Sequence, residues 1–247
     1  MLRKKLLDSG FVPKNFEIPL RAIKSEVKLF CEKNLPLITE DSKLSKEYDA
    51  IIGAQTVKWE DKEVTITQLG PVLLETNRKK REKAWRSASE RRLKDRDKIN
   101  EVWKKILQIR MNIAKNAKHD NYRSWRWEYL NRFDYTPDDC LDFHSAIEKV
   151  VMPFANKLIK KRKDELGLKT LKPWDLSVDT LNRTPLKPFK NADELEMKCH
   201  NIFNSVDSEL GNYFKIMRDE KLLDLANRKG KAPGGYCTEY HHRRVPF

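Results

Sequence analysis

Residues Asn77–Lys118, NRKKREKAWRSASERRLKDRDKINEVWKKILQIRMNIAKNAK, form the longest periodic stretch of the chain, and their reading decides the fold class. Ala84, Trp85, Ala88, Leu93, Ile99, Val102, Trp103, Ile106, Leu107, Ile109, Ile113 and Ala114 mark an apolar face, and Arg and Lys fill the others. That spacing belongs to a helix. Asn77 caps it, because its side-chain oxygen accepts an orphan backbone N–H. The apolar positions keep no strict heptad, which argues against a coiled coil. Two consecutive helices, or one bent helix, with a change near Asp95–Asp97, fit the pattern.

Helical readings continue on both sides. Gly10 and Pro13 break a short lead-in over residues 1–16. From Pro19 onward, Leu20, Ile23, Val27 and Phe30 make one stripe, and Pro36 is expected to end that helix. Thr39–Tyr48 is polar and compatible with a short helix. Residues 55–67, QTVKWEDKEVTIT, alternate on both sides of a polar turn at Glu60-Asp61-Lys62 and read as a β-hairpin. Asn121–Leu130 gives a short aromatic helix. Thr136-Pro137-Asp138-Asp139 is a helix start, with Thr as cap, Pro at the first position and carboxylates at the positive end of the dipole. That helix runs to Leu166, with a kink at Pro153 and Gly167 as its stop. Prolines 173, 185 and 188 mark a long connection. Asn191 caps a helix over 192–204, and a last helix covers Glu209–Glu220 with Leu210, Tyr213, Phe214 and Met217 inward.

The class is therefore mainly α: a helical, bundle-like scaffold with one β-hairpin and a small C-terminal sheet segment. Eight glycines in 247 residues are too few for an all-β or dinucleotide-binding fold. Charged residues make up 36% and the mean hydropathy is −0.76, but the recurring aromatic and Leu positions exclude disorder. The formal net charge of +14 is compatible with a solvated surface, an acidic partner or nucleic acid. Cys31, Cys140, Cys199 and Cys237 form no C-x-x-C pair and fit a reducing compartment. The opening MLRKKLLDSG lacks the apolar run of a signal peptide, and no stretch approaches a membrane span. A soluble, cytoplasmic protein is expected.

Few constellations point to chemistry. Cys140, His144 and Glu148 share a helical face and read either as metal ligands or as one side of an ordinary amphipathic helix. Cys237 with His241 and His242 is a second possible ligand group, although alternation in a strand places His242 on the opposite face. Arg123-Ser124-Trp125-Arg126-Trp127 interleaves cations and aromatics as single-strand nucleic-acid binders do. One turn of helix nevertheless aims the two tryptophans apart, so nucleic acid is not the expected partner. No H-E-x-x-H, G-x-x-x-x-G-K-[ST] or G-x-S-x-G occurs, and no catalytic or metal-ligating residue is assigned.

The final stretch, Leu222–Phe247, is LLDLANRKGKAPGGYCTEYHHRRVPF. It combines a basic turn, a glycine-rich corner and an extended run from Tyr236 to Tyr240. Val245-Pro246-Phe247 reads as a strand cut short.

Six stretches carry a resemblance: Tyr48–Val57 (YDAIIGAQTV), Ala84–Arg86 (AWR), Glu90–Arg92 (ERR), Asn131–Pro137 (NRFDYTP), Pro173–Leu176 (PWDL) and Leu223–Cys237 (LDLANRKGKAPGGYC). Together they make the chain resemble the oligoendopeptidase F-like branch of the thimet-oligopeptidase family of zinc metallopeptidases, over nearly its whole length. The resemblance implies part of a larger, mostly helical fold with a deep channel, acting on oligopeptides with Zn2+. It implies a helical lobe over 1–166, including the hairpin at 55–67, and the start of a catalytic lobe over 167–247. The family's H-E-x-x-H helix is expected just beyond Phe247, so the zinc ligands are not in this chain, and a first helical segment is expected before Met1. Gly234, Gly235, Tyr236 and Cys237 are carried over as the family's substrate-backbone edge. The alternative is a non-catalytic, basic helical module, such as one for RNA. On the first reading the chain forms scaffold and substrate channel without activity of its own.

Overall fold

A computed structural model describes residues 2–240 and 245–246 of the chain. Among the described residues it is mainly helical, with α-helices α1 (Leu2–Asp8), α2 (Glu17–Leu29), α3 (Asn34–Gly53), α4 (Arg78–Lys94), α5 (Arg96–Asn116), α6 (Tyr122–Tyr129), α7 (Pro137–Ala146), α8 (Met152–Glu165), α9 (Ala192–Val206) and α10 (Ser208–Asp219). Four short strands, β1 (Thr56–Trp59), β2 (Lys62–Thr65), β3 (Glu239–Tyr240) and β4 (Val245–Pro246), make two separate antiparallel pairs. The chain divides into two compact units, Met1–Tyr48 with Arg96–Asp164, and Asp49–Asp95 with Glu165–Phe247. The second unit thus groups residues 49–95, with the hairpin, and the C-terminal part.

The periodic stretch 77–118 is two helices, and the break is chemical. Asp95 caps the C-terminus of α4 and is buried, where it accepts hydrogen bonds from Gln55 Nε2 at 3.0 Å and Arg91 Nη1 at 2.6 Å. An acid held by two donors fixes the residue at which the helix stops. Asn77 caps α4 through a bond from the Lys80 N–H at 3.1 Å.

The first unit is built around Leu29, Ile113, Ala114 and Trp125, with Leu37, Ile109, Ala117 and Tyr122 packed against them. Asn34 is buried with them because both ends of its amide are used: Nδ2 donates to the Ile113 carbonyl and Oδ1 accepts from Asn116. Two expectations are corrected here. α2 ends at Leu29, and Phe30 leaves it in extended conformation, so Leu29 takes the inward place and Phe30 is exposed. Pro36 does not end a helix; it sits in the first turn of α3, where its missing N–H has no intrahelical partner to lose. Pro153 falls at the start of α8, directly after a π-helical turn over Ile147–Val151. An absent proline N–H disrupts the local ladder of hydrogen bonds and accounts for that irregularity.

In the second unit, β1 and β2 form the expected hairpin, with Thr56 opposite Thr65 and Trp59 opposite Lys62. This register leaves a two-residue turn, and Glu60 and Asp61 both adopt positive φ, at 48° and 65°. Trp59, Leu69, Val72 and Ala84 form the core between the hairpin, a 3-10 helix over Thr67–Leu74 and α4. α9 and α10 pack as a helical hairpin. Gly211 is buried there because a Cβ would lie 2.7 Å from the Asn204 Cα. This contact rotates α10 so that Phe214 meets Phe203 at 5.1 Å, while Leu210 and Tyr213, expected to point inward, are exposed.

Candidate functional site

Within the second unit the fold gathers sequence stretches that lie far apart in the chain. Trp85 and Trp174 pack with ring centroids 5.5 Å apart, and the Arg86 guanidinium lies 5.0 Å from the Trp174 ring. Beside them Asp175 is fully buried in a 3-10 turn, Pro173–Asp175. Arg78 grips its carboxylate with two bonds, at 2.9 and 2.8 Å, and Arg81 adds a third at 3.1 Å. Burial pushes the Asp175 carboxyl up, but the bonds from Arg78, the Lys172 N–H and Arg81 outweigh it and hold the group below the usual aspartate range. Arg81, itself buried, spends its other donors on the carbonyls of Trp174, Glu75 and Thr76. A buried charge needs this degree of satisfaction to be tolerated. Sequence reading singled out Trp174 and Asp175 but missed Arg78 and Arg81; their place in the first turns of a helix otherwise crowded with exposed cations hid them.

The turn 227–231 is anchored onto the hairpin and the end of α3. The Gly230 N–H donates to the Gly53 carbonyl at 2.8 Å. The Thr65 hydroxyl donates to Asn227 Oδ1 at 2.7 Å. The Lys229 ammonium reaches Glu63 at 2.7 Å, and that bond, with a second from Thr56, lowers the Glu63 pKa. Inside the turn Arg228 makes two bonds to Asp224, and Lys231 donates to Asp224 and to the Ala226 carbonyl. Arg228 and Lys231 together hold the Asp224 carboxyl far below its ordinary value. Gly53 permits this close approach: a Cβ there would lie 3.1 Å from backbone atoms of Gly230 and Lys231. The recess beside the turn is only about 40 Å³, room for water and not for a substrate.

What the anchored turn presents is the segment after it. Gly234 takes φ +106°, a region that L side chains rarely adopt, and Gly235 follows with no heavy atom within 4 Å of a Cβ built on it. Gly234, Gly235, Tyr236 and Cys237 are all exposed, Tyr236 at 84%, and the Cys237 thiol is free. Of the extended run read over 236–240, only Glu239–Tyr240 forms a ladder among the described residues, with Glu239 opposite Pro246 and Tyr240 opposite Val245. Residues 235–238 have no partner strand among the described residues, and two glycines in succession weaken any strand they begin. In that two-stranded sheet the second edge of β3 has no neighbouring strand among the described residues.

The remaining candidates from sequence behave differently. Cys140 and His144 lie on α7 and Glu148 in the π-helical turn, and no group of His, Cys, Asp and Glu fit to hold a metal is present among the described residues. His241 and His242 lie outside the described residues, so the pairing with Cys237 is not placed. Trp125 is buried, stacked between Tyr122 and Tyr129 at 5.4 and 5.0 Å, whereas Trp127 packs on Tyr135 at 5.1 Å. The Arg-Trp interleave is therefore a core contact plus a separate aromatic pair, not a stacking platform. Among the described residues no helix is long and apolar enough to cross a membrane.

The model of Peptidase family M3 matches residues 72–246, and the chain belongs to that family. Its fold is that of solved oligopeptidases. One is an assigned oligoendopeptidase F from Bacillus anthracis str. Ames, with TM-score 0.87, 20% identity, and coverage of 99% of this chain and 46% of that one. Another is PZ peptidase A in a structure with an inhibitor, with TM-score 0.91, 24% identity, and coverage of 100% of this chain and 44% of that one. A second oligoendopeptidase F structure gives TM-score 0.89 at 21% identity, again covering 44% of its chain. The chain thus spans less than half the length of these structures. No curated protein matches it.

Proposed function

We propose that this chain forms the helical scaffold and one edge of the substrate path of a zinc-dependent oligopeptidase of the cytoplasm, with residues 1–166 as a helical lobe and 167–247 opening the catalytic lobe. The observation that carries the reading is the segment 234–239: exposed, preceded by a turn held by the Gly53–Gly230 and Thr65–Asn227 bonds, and leading into β3, whose second edge has no neighbouring strand among the described residues. Such an edge takes an extended peptide by strand addition, in which main-chain hydrogen bonds hold any sequence and side-chain pockets add preference. Gly234, Gly235, Tyr236 and Cys237 are the proposed contacts.

The described residues of this chain do not fit a zinc site. H-E-x-x-H is absent from the sequence and no suitable donor group exists among the described residues. We assign the metal and its hydrolytic chemistry to polypeptide other than these 247 residues, and derive no step through it.

Gly235→Val in the complete, zinc-loaded peptidase tests the assignment. The new side chain enters open space in the free protein, so stability should hold, while an incoming peptide backbone meets it. The expected result is a fall in kcat/KM of about tenfold or more, the equivalent of one hydrogen bond to the peptide lost, with unchanged thermal stability. Unchanged kinetics would remove Gly235 from the substrate path.

A further inference from the structure

We propose that the first unit holds a binding site for a neutral, largely apolar small molecule bearing a carbonyl oxygen, in the cavity among α2, α3 and α6. The cavity measures about 390 Å³, within the roughly 300–1,000 Å³ range of small-molecule sites. All its lining residues belong to that unit. It lies where the chain passes from one helix to the next: Phe30 leaves α2 in extended conformation, and α3 begins at Asn34. Leu29 and Trp125, both buried, come from the core of the unit, while Leu35, Ile38 and Tyr129, all exposed, face toward solvent.

Two observations choose the ligand. The first is an unmade hydrogen bond. Trp125 lines the cavity and is 4% exposed, yet its indole N–H has no acceptor among the described residues. A buried tryptophan usually finds a partner for that donor, and each exception calls for an explanation. A carbonyl oxygen brought by a ligand supplies the acceptor. In the empty site the N–H is closed off even from water, so a neighbouring side chain has to yield on entry. Tyr129, stacked on the indole at 5.0 Å and 52% exposed, is the neighbour with room to swing aside. The second observation is charge balance. Arg3 pairs with Glu26, and Lys28 donates to Glu128 at 2.8 Å. Asn34 uses both ends of its amide within the core, and the Ser25 hydroxyl donates to the Glu128 carbonyl at 3.3 Å. An ion finds no uncompensated partner among these groups, whereas a neutral body meets apolar side chains and one buried donor. This site is independent of the proposed peptide edge at residues 234–239, which belongs to the other unit.

The test uses the 247-residue chain, isotope-labelled at its six tryptophan indoles, in nuclear magnetic resonance titrations with two probes of one shape. These are methyl β-naphthyl ketone and β-isopropenylnaphthalene, in which a methylene replaces the carbonyl oxygen. The Trp125 indole proton, assigned through its contacts with the stacked Tyr122 and Tyr129 rings, should move downfield and saturate with the ketone. The ketone should bind about tenfold more tightly than the alkene, the equivalent of one hydrogen bond. Trp174 in the second unit, whose N–H also lacks an acceptor, should not move. Ile38→Asp, at a position 42% exposed, sets a charge against the apolar body of the probe; it should weaken ketone binding about tenfold or more and leave the unfolding curve unchanged. No saturable shift of Trp125, equal affinity for the two probes, a matching shift of Trp174, or indifference to Ile38→Asp would overturn the proposal.

Discussion

Gly53 and Gly230 meet backbone to backbone, the N–H of Gly230 donating to the carbonyl of Gly53 at 2.8 Å. This contact fixes the turn from which residues 234–240 extend. Gly53→Ala should therefore destabilise the chain. Alanine gains up to about 1 kcal/mol in helix propensity, but its Cβ presses on backbone that cannot rotate away, and overpacking of that kind costs about 1–3 kcal/mol. Urea unfolding checks the sign: a midpoint equal to or above that of the parent protein would show that the turn is not pinned at Gly53.

Thr65→Val removes the hydroxyl that donates to Asn227 while keeping the shape of the side chain. The hydroxyl also accepts from the Gln68 N–H at 3.3 Å, so the expected loss is about 1–3 kcal/mol, the net worth of two partly buried hydrogen bonds. Asn227→Ala should cost about 1 kcal/mol, and the double variant should cost less than the sum, because both remove the Thr65–Asn227 bond. Strict additivity in the double-mutant cycle would mean that the two side chains do not interact.

Asp175→Ala should cost about 3–5 kcal/mol, because it leaves the buried Arg81 cation without its carboxylate. The pH dependence has a defined sign. The folded-state pKa of Asp175 is lowered, so its contribution is fully present above the unfolded value of about 4 and is lost as pH falls through the lower folded value. The stability gap between parent and Asp175→Asn should accordingly be widest at neutral pH and narrow on acidification below about pH 4. A gap independent of pH would contradict this account of the network.

Surface charge without a groove should bind single-stranded RNA weakly and with steep salt dependence. Trp125, the aromatic at the centre of the Arg-Trp interleave, is committed to the core, and Trp125→Ala should cost about 3–5 kcal/mol of stability rather than affinity. Sub-micromolar, sequence-selective binding at physiological salt would favour a nucleic-acid role.

Local signals made most of the fold legible. Asn77, Thr136 and Asn191 each cap the helix read after them, and the alternation on either side of Glu60-Asp61 gave the hairpin. The failures are tertiary. Nothing in the spacing of Leu210 and Tyr213 reveals that Gly211 must face Asn204, and Phe30 continues a helical stripe in sequence although the backbone has already left the helix. For the proposed site, Gly234–Cys237 are named from the resemblance alone, and no local pattern reveals what anchors the turn before them. The anchors Gly53, Thr65 and Asn227 act through contacts across more than 150 residues of chain, a separation no local pattern encodes.

The division of labour is tested most directly by zinc content and peptide turnover of the purified 247-residue chain. After gel filtration in zinc-containing buffer, elemental analysis should find no stoichiometric metal, and a quenched fluorescent oligopeptide should remain uncleaved, because on the proposed function these residues supply scaffold and peptide edge, and the sequence has no H-E-x-x-H. One tightly held zinc per chain with chelator-sensitive cleavage would contradict the account and place a catalytic centre within these residues.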